Sequence, residues 1–88
     1  MKPLDAVFAR TRRLPAIERY TALALLALSK RTPQGLVASV TVTKLAELMG
    51  RSRRRVTDAV ARLERAGIVR RLRRGRFLIV DGKEKARG

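Results

Sequence analysis

Apolar and polar residues recur with two different periods along this chain. Between Ser52 and Gly67, the residues Val56, Ala59, Val60 and Leu63 stand at i, i+3, i+4 and i+7, one apolar stripe of a helix. At about 100° per residue, Arg54, Asp58, Ala61 and Arg65 fall opposite that stripe, with Thr57 and Arg62 on its flanks. Ser52 is placed to cap this helix, Arg53, Arg54 and Arg55 to form its first turn, and Gly67 to end it in a left-handed conformation. After Gly67 the pattern changes. Ile68–Leu72 and Arg76–Val80 are β-rich runs joined by Arg73-Arg74-Gly75, which predicts a hairpin turned on a glycine of positive φ.

Upstream, Pro15 suits the first position of a helix running to about Ser29. The expected buried face is Ile17, Tyr20, Leu23, Ala24, Ala27 and Leu28, with Leu25 and Leu26 also apolar. A helix so nearly apolar all round is expected at the centre of the core. Lys30–Gly35 is expected as a turn, because Pro33 and Gly35 break the helix, and Leu36–Val40 as a short strand. Thr41 or Thr43 then caps a helix that ends at Gly50, with Leu45, Ala46, Leu48 and Met49 as its apolar residues and Met49 as a gap-filler. Short helix, tight Gly50-Arg51 turn and arginine-rich helix together predict a helix-turn-helix.

The ends are less patterned. Pro3–Thr11 allows a short amphipathic turn or helix with Leu4, Val7 and Phe8 on one side, read either as an arm over the core or as a dimerisation arm. Nearby Arg10, Arg12 and Arg13 are read either as phosphate contacts or as solvated cations. Asp81–Gly88 has nothing to bury and is expected to be a disordered basic tail. The expected organisation is an arm or short helix over 1–13, a folded domain over 14–80 and the tail over 81–88.

Charge sharpens the reading. The chain carries 22 Lys and Arg against 7 Asp and Glu, a net +15 on 88 residues. Eleven arginines lie between Arg51 and Arg76 against Asp58 and Glu64, so that segment alone carries +9. Such a charge opposes compaction unless a polyanion relieves it, and DNA or RNA is the usual polyanion. Arginine rather than lysine favours bidentate contacts to phosphate and guanine. Three arginines in a first helical turn oppose the helix dipole, which favours anions there. Something anionic is expected to meet them.

With 88 residues there is room for one small domain near the lower size limit for independent folding. Cys and His are both absent. That removes disulfides, the usual zinc sites and the common acid–base and nucleophilic constellations, so neither a metal, a cofactor nor an enzyme is expected. The three aromatics, Phe8, Tyr20 and Phe77, form no base-stacking pattern, which weakens single-strand binding. No apolar run reaches the ~18 residues of a membrane span, and no signal-peptide core opens the chain. A cytoplasmic, nucleoid-associated setting is expected.

The order helix, strand, helix, helix, hairpin resembles the winged helix-turn-helix transcription regulators of bacteria and archaea, most closely over residues 40–80. Their Leu-Ala, Gly-x-Ser and Leu-Glu-x-x-Gly-Ile-Val-x-Arg pattern stands here as Leu45-Ala46, Gly50-Arg51-Ser52 and Leu63 through Arg71. The resemblance implies a mainly α fold with a small β-hairpin wing (α+β). It implies base-edge contacts from Arg53, Arg54, Thr57 and Asp58, and backbone or minor-groove contacts from Arg73, Arg74 and Arg76. With Arg51, Ser52, Arg55, Arg62 and Arg71 these make up the candidate DNA-binding residues.

Asp58 has two readings. It pairs with Arg54 and Arg62, each four residues away, for about 0.3–0.5 kcal/mol, or it accepts from a cytosine N4. Pairing is preferred, with Arg54 oriented for a guanine. The wing arginines likewise have a plain reading, a charged hairpin that blocks edge-to-edge strand pairing. The implied function is sequence-specific binding of double-stranded DNA by a regulator acting through site occupancy as a homodimer. Leu4, Val7, Phe8, Leu25 and Leu26 are the candidate adhesive surface. Such regulators usually add a ligand pocket or long dimerisation helices, for which the chain has no room, so no small-molecule effector is expected. The alternatives are an RNA-bound or ribosome-associated basic protein, disfavoured because structured RNA hides its major groove, and a protein-interaction winged helix, for which +9 on the helix and hairpin has no use.

Overall fold

The computed structural model describes residues 3–80. Four helices, α1 (Pro3–Thr11), α2 (Ala16–Leu28), α3 (Val42–Met49) and α4 (Arg53–Arg65), pack against strands β1 (Ser29–Thr32), β2 (Gly35–Ser39), β3 (Val69–Arg73) and β4 (Arg76–Ile79). The strands form one antiparallel sheet in the order β1-β2-β4-β3. This is the expected α+β winged helix-turn-helix, with a sheet larger than a lone hairpin. The tail expected at 81–88 lies outside the described residues. No described helix is long and apolar enough to cross a membrane.

Local signals set most boundaries. Ser52 Oγ accepts from the Arg55 amide at 3.2 Å and starts α4. At the other end, Gly67 has φ 75° and its N–H reaches the Glu64 carbonyl, while Ile68 N–H reaches that of Leu63. These two bonds make the Schellman lock. Thr41, not Thr43, caps α3, accepting from the Lys44 amide at 3.1 Å. The wing turn narrows to Arg74-Gly75, and a bulge between Arg71 and Arg73 shifts the β3 register.

Two expectations fail for physical reasons. Lys30–Thr32 is not turn but strand: with Ser29 it pairs residue for residue against Gly35–Ala38. The turn itself is only Pro33-Gln34, held by Thr32 Oγ1, which accepts from the Gln34 amide and donates to the Gly35 carbonyl. An edge strand needs no apolar face, and its cations discourage further pairing, so Ser-Lys-Arg-Thr carries no hydrophobic signal. The second failure is the rotation of α2. Its buried residues are Glu18, Thr21, Ala22 and Leu25, while Tyr20, Ala27 and Leu28 are exposed. Thr21 is tolerated inside because its hydroxyl donates to the Ile17 carbonyl at 2.7 Å and lies 3.8 Å from Met49 Sδ.

The core joins Leu25 of α2, Leu45 and Met49 of α3, Val56, Val60 and Leu63 of α4, and Phe77 of β4. Val7 of α1 belongs to it, and Thr11 is buried with its hydroxyl on the Val7 carbonyl. Arg10 is not a free cation. Its guanidinium donates to the carbonyls of Gly67, at 2.8 Å, and Val80, clamping α1 to the ends of α4 and β4. Val7 and Leu25 are therefore unavailable as adhesive surface, Leu26 is half-buried, and Leu4 and Phe8 stay exposed.

Candidate nucleic-acid interface

The site is built on α4. Val56, Ala59, Val60 and Leu63 are sealed in the core, which fixes the helix rotation and turns its polar side outward. Arg53, Arg54 and Arg55 are all exposed on the first turn, with no acid among them. Ser52 occupies the Arg55 amide, so the amides of Arg53 and Arg54 still face outward with the positive end of the helix dipole. That combination favours an anion. Arg51 is exposed in the turn before it.

One flank of α4 faces the wing. Arg53 and Thr57 line a concavity of about 410 Å³ with Thr41, Thr43, Arg71 and Arg74. The wing turn is held in place there, because the Val40 amide donates to the Gly75 carbonyl at 2.9 Å. Gly75 has φ 77°, and a Cβ at that position would lie 3.9 Å from Thr41 Cγ2. Arg71 lies over the Phe77 ring, 5.2 Å from its centroid, which braces its guanidinium. Three cations and three hydroxyls thus converge on one concave surface.

The other flank faces α2. Arg55, Asp58 and Arg62 line a groove of about 190 Å³ with Ile17, Glu18 and Ala59. The expected pairing of Asp58 with Arg54 and Arg62 is not found. Arg62 instead reaches Glu18, with Nη1 3.7 Å from Oε2, the ion pair present among the described residues. Glu18 sits forty-four positions earlier, on a helix whose rotation its apolar periodicity does not give, so no local spacing announces the pair. Asp58 remains exposed.

Arg73 and Arg74 are exposed at the wing tip. Arg76 is set back: it is half-buried, its Nε is enclosed without a hydrogen-bond partner, and it stands opposite Ser39 in the sheet. Thr41 and Thr43 join the site, although their sequence context marks them only as helix caps.

The sequence profile of the Crp-like helix-turn-helix domain matches residues 21–84, covering both helices of the motif, the sheet and the wing. The chain belongs to the Crp-like helix-turn-helix family. Its fold is accordingly that of a Crp-like winged helix. Among solved structures, it is similar to the reduced Fe(II) CO-sensing protein from R. rubrum, at 26% identity and TM-score 0.70 over 82% of this chain and 35% of that one. It is also similar to a CRP/FNR-family transcriptional regulator from Thermus thermophilus, at 26% identity and TM-score 0.64 over 92% of this chain and 43% of that one. A second CRP-family regulator from the same organism shares the fold at 24% identity and TM-score 0.60, over 97% of this chain and 45% of that one. The chain thus spans less than half the length of these regulators. No curated protein matches it.

Proposed function

We propose that this chain recognises specific sites in double-stranded DNA and regulates transcription by occupying them. In this reading α4 enters the major groove, with Arg53, Arg54, Thr57 and Asp58 at base edges. Arg73 and Arg74 hold the backbone or minor groove, and the arginine-lined cleft between α4 and the wing receives a phosphate. The observation that carries it is the exposed Arg53-Arg54-Arg55 turn at the dipole-positive end of α4, flanked on the wing side by a cleft lined by Arg53, Arg71 and Arg74 with no acid among them. The working unit is proposed to run from α1 to β4, since Val7 and Arg10 bind α1 into it. Binding is expected to need no cofactor and no small-molecule effector.

Salt dependence tests the assignment. With about six arginines on phosphates, log K falls against log[salt] with a slope near −5 for duplex DNA. A structured RNA titrated in parallel is expected to bind more weakly at each salt concentration. Tighter RNA binding throughout would replace this reading with the ribosome-associated alternative.

A single winged helix buries roughly 600–1,000 Å², too little for a regulator's specificity alone. Two copies related by a two-fold axis would read a palindrome with half-sites about one helical turn apart. Leu4 and Phe8, 50% and 41% exposed on α1, are the proposed contact. Sedimentation at micromolar protein is expected to show a dimer that Leu4→Ser with Phe8→Ser turns into a monomer. A wild-type chain that stays monomeric, with and without DNA, would remove this contact.

A further inference from the structure

Glu18 is out of place by ordinary rules. Its side chain is 3% exposed, and Oε2 has no hydrogen-bond partner among the described residues. It occupies the third position of α2, where a glutamate commonly reaches back to the N–H of the capping residue. Here that residue is Pro15, which has no N–H to offer. The reciprocal cap is thus unavailable, and the carboxylate is directed to α4. Arg62 Nη1 stands 3.7 Å from it, while the Arg62 side chain is 60% exposed. Arg55 and the exposed Asp58 line the same groove.

We infer that Glu18 is a positioning residue for DNA binding: it holds the inner edge of the Arg62 guanidinium and turns the outer N–H donors toward a phosphate. A long arginine side chain on a helix surface loses considerable rotamer entropy when it contacts DNA. A buried anion behind it removes part of that loss in advance. Together with Asp58, Glu18 also offsets the repulsion between Arg55 and Arg62, so both can address one stretch of backbone. The inference rests on α4 being the helix that meets DNA.

The sign of one substitution separates this role from simple electrostatics. Glu18→Gln adds one unit to a net charge of +15. By Coulomb attraction alone, the variant binds a polyanion more tightly and with a steeper salt slope. Positioning demands the reverse: binding about three- to tenfold weaker at fixed salt, and a slope shallower by about 0.9 because one phosphate contact is lost. Arg62→Ala is expected to show the same loss, and Glu18→Gln added to Arg62→Ala to cost nothing more. A purely structural Glu18 would weaken binding in the Arg62→Ala background as well.

A DNA-free measurement keeps the two readings apart. Arginine side-chain nitrogen NMR spectra of the wild-type chain are expected to show slow guanidinium rotation for Arg62, against fast rotation for Arg54. Fast rotation at Arg62, or tighter DNA binding by Glu18→Gln, overturns the positioning role. A wild-type chain that fails to bind duplex DNA overturns the functional reading, and the spectrum still decides whether Glu18 holds Arg62.

Discussion

Helices α2 and α4 have the same length, thirteen residues, and both lie across the core, yet only one wears its orientation in its sequence. In α4 every residue opposite the apolar stripe except Ala61 is charged, and burying any of those charges unpaired would be prohibitive. Its rotation is fixed by what must stay wet. In α2 apolar residues occupy nearly the whole circumference, so several rotations bury similar area. Neighbours then decide: Thr21 meets Met49, Glu18 meets Arg62, and Leu25 fills the centre. The stripe of Tyr20, Ala27 and Leu28 is left outside. Charged residues constrain a helix more than apolar ones do, because an exposed leucine costs little and a buried unpaired arginine costs much.

The most direct way to break this contrast is truncation on the two sides of α2. Leu25→Ala is expected to destabilise by about 2–5 kcal/mol, as a fully buried leucine should. Leu28→Ala, at a side chain 37% exposed, is expected to cost about 1 kcal/mol. A larger loss at Leu28 than at Leu25 in urea unfolding would mean that α2 sits as its sequence periodicity alone indicates. On the α4 side the effect is smaller. Ser52→Ala removes the cap on the Arg55 amide and is expected to cost about 1 kcal/mol, read from the same unfolding curves. Asp58→Asn sharpens the comparison at its lowest end. With no ion pair to Arg54 or Arg62, it is expected to leave stability within about 0.5 kcal/mol, while a clear loss would restore the pairing that spacing suggested.

Much of the site was legible for the same reason that α4 was. The Ser52 cap, the arginine turn, the Gly67 stop and the glycine-turned wing are each local, set by residues within about five positions of one another. What was not legible depends on distant partners or on weak patterns. Strand β1 has no apolar alternation because it lies at an edge, and the Pro33-Gln34 turn that closes it reads as a longer loop. The seat of the wing depends on the pairing of β4 with the distant β2, which the bond from the Val40 amide to the Gly75 carbonyl extends to the wing turn. Arg10, to all appearance a free surface cation, caps carbonyls at Gly67 and Val80. Both placements follow from the tertiary fold alone.

The central claim is that α4 reads DNA while the wing holds it, and paired alanine variants measure this directly. The binding of Arg54→Ala and Arg74→Ala is compared on the preferred site and on random duplex DNA across a salt series. Arg54→Ala is expected to lose about 1–3 kcal/mol on the preferred site and little on random DNA, because a base contact carries discrimination. Arg74→Ala is expected to weaken both to a similar extent and to flatten the salt slope by about 1. Identical profiles for the two variants would contradict the division of labour between helix and wing.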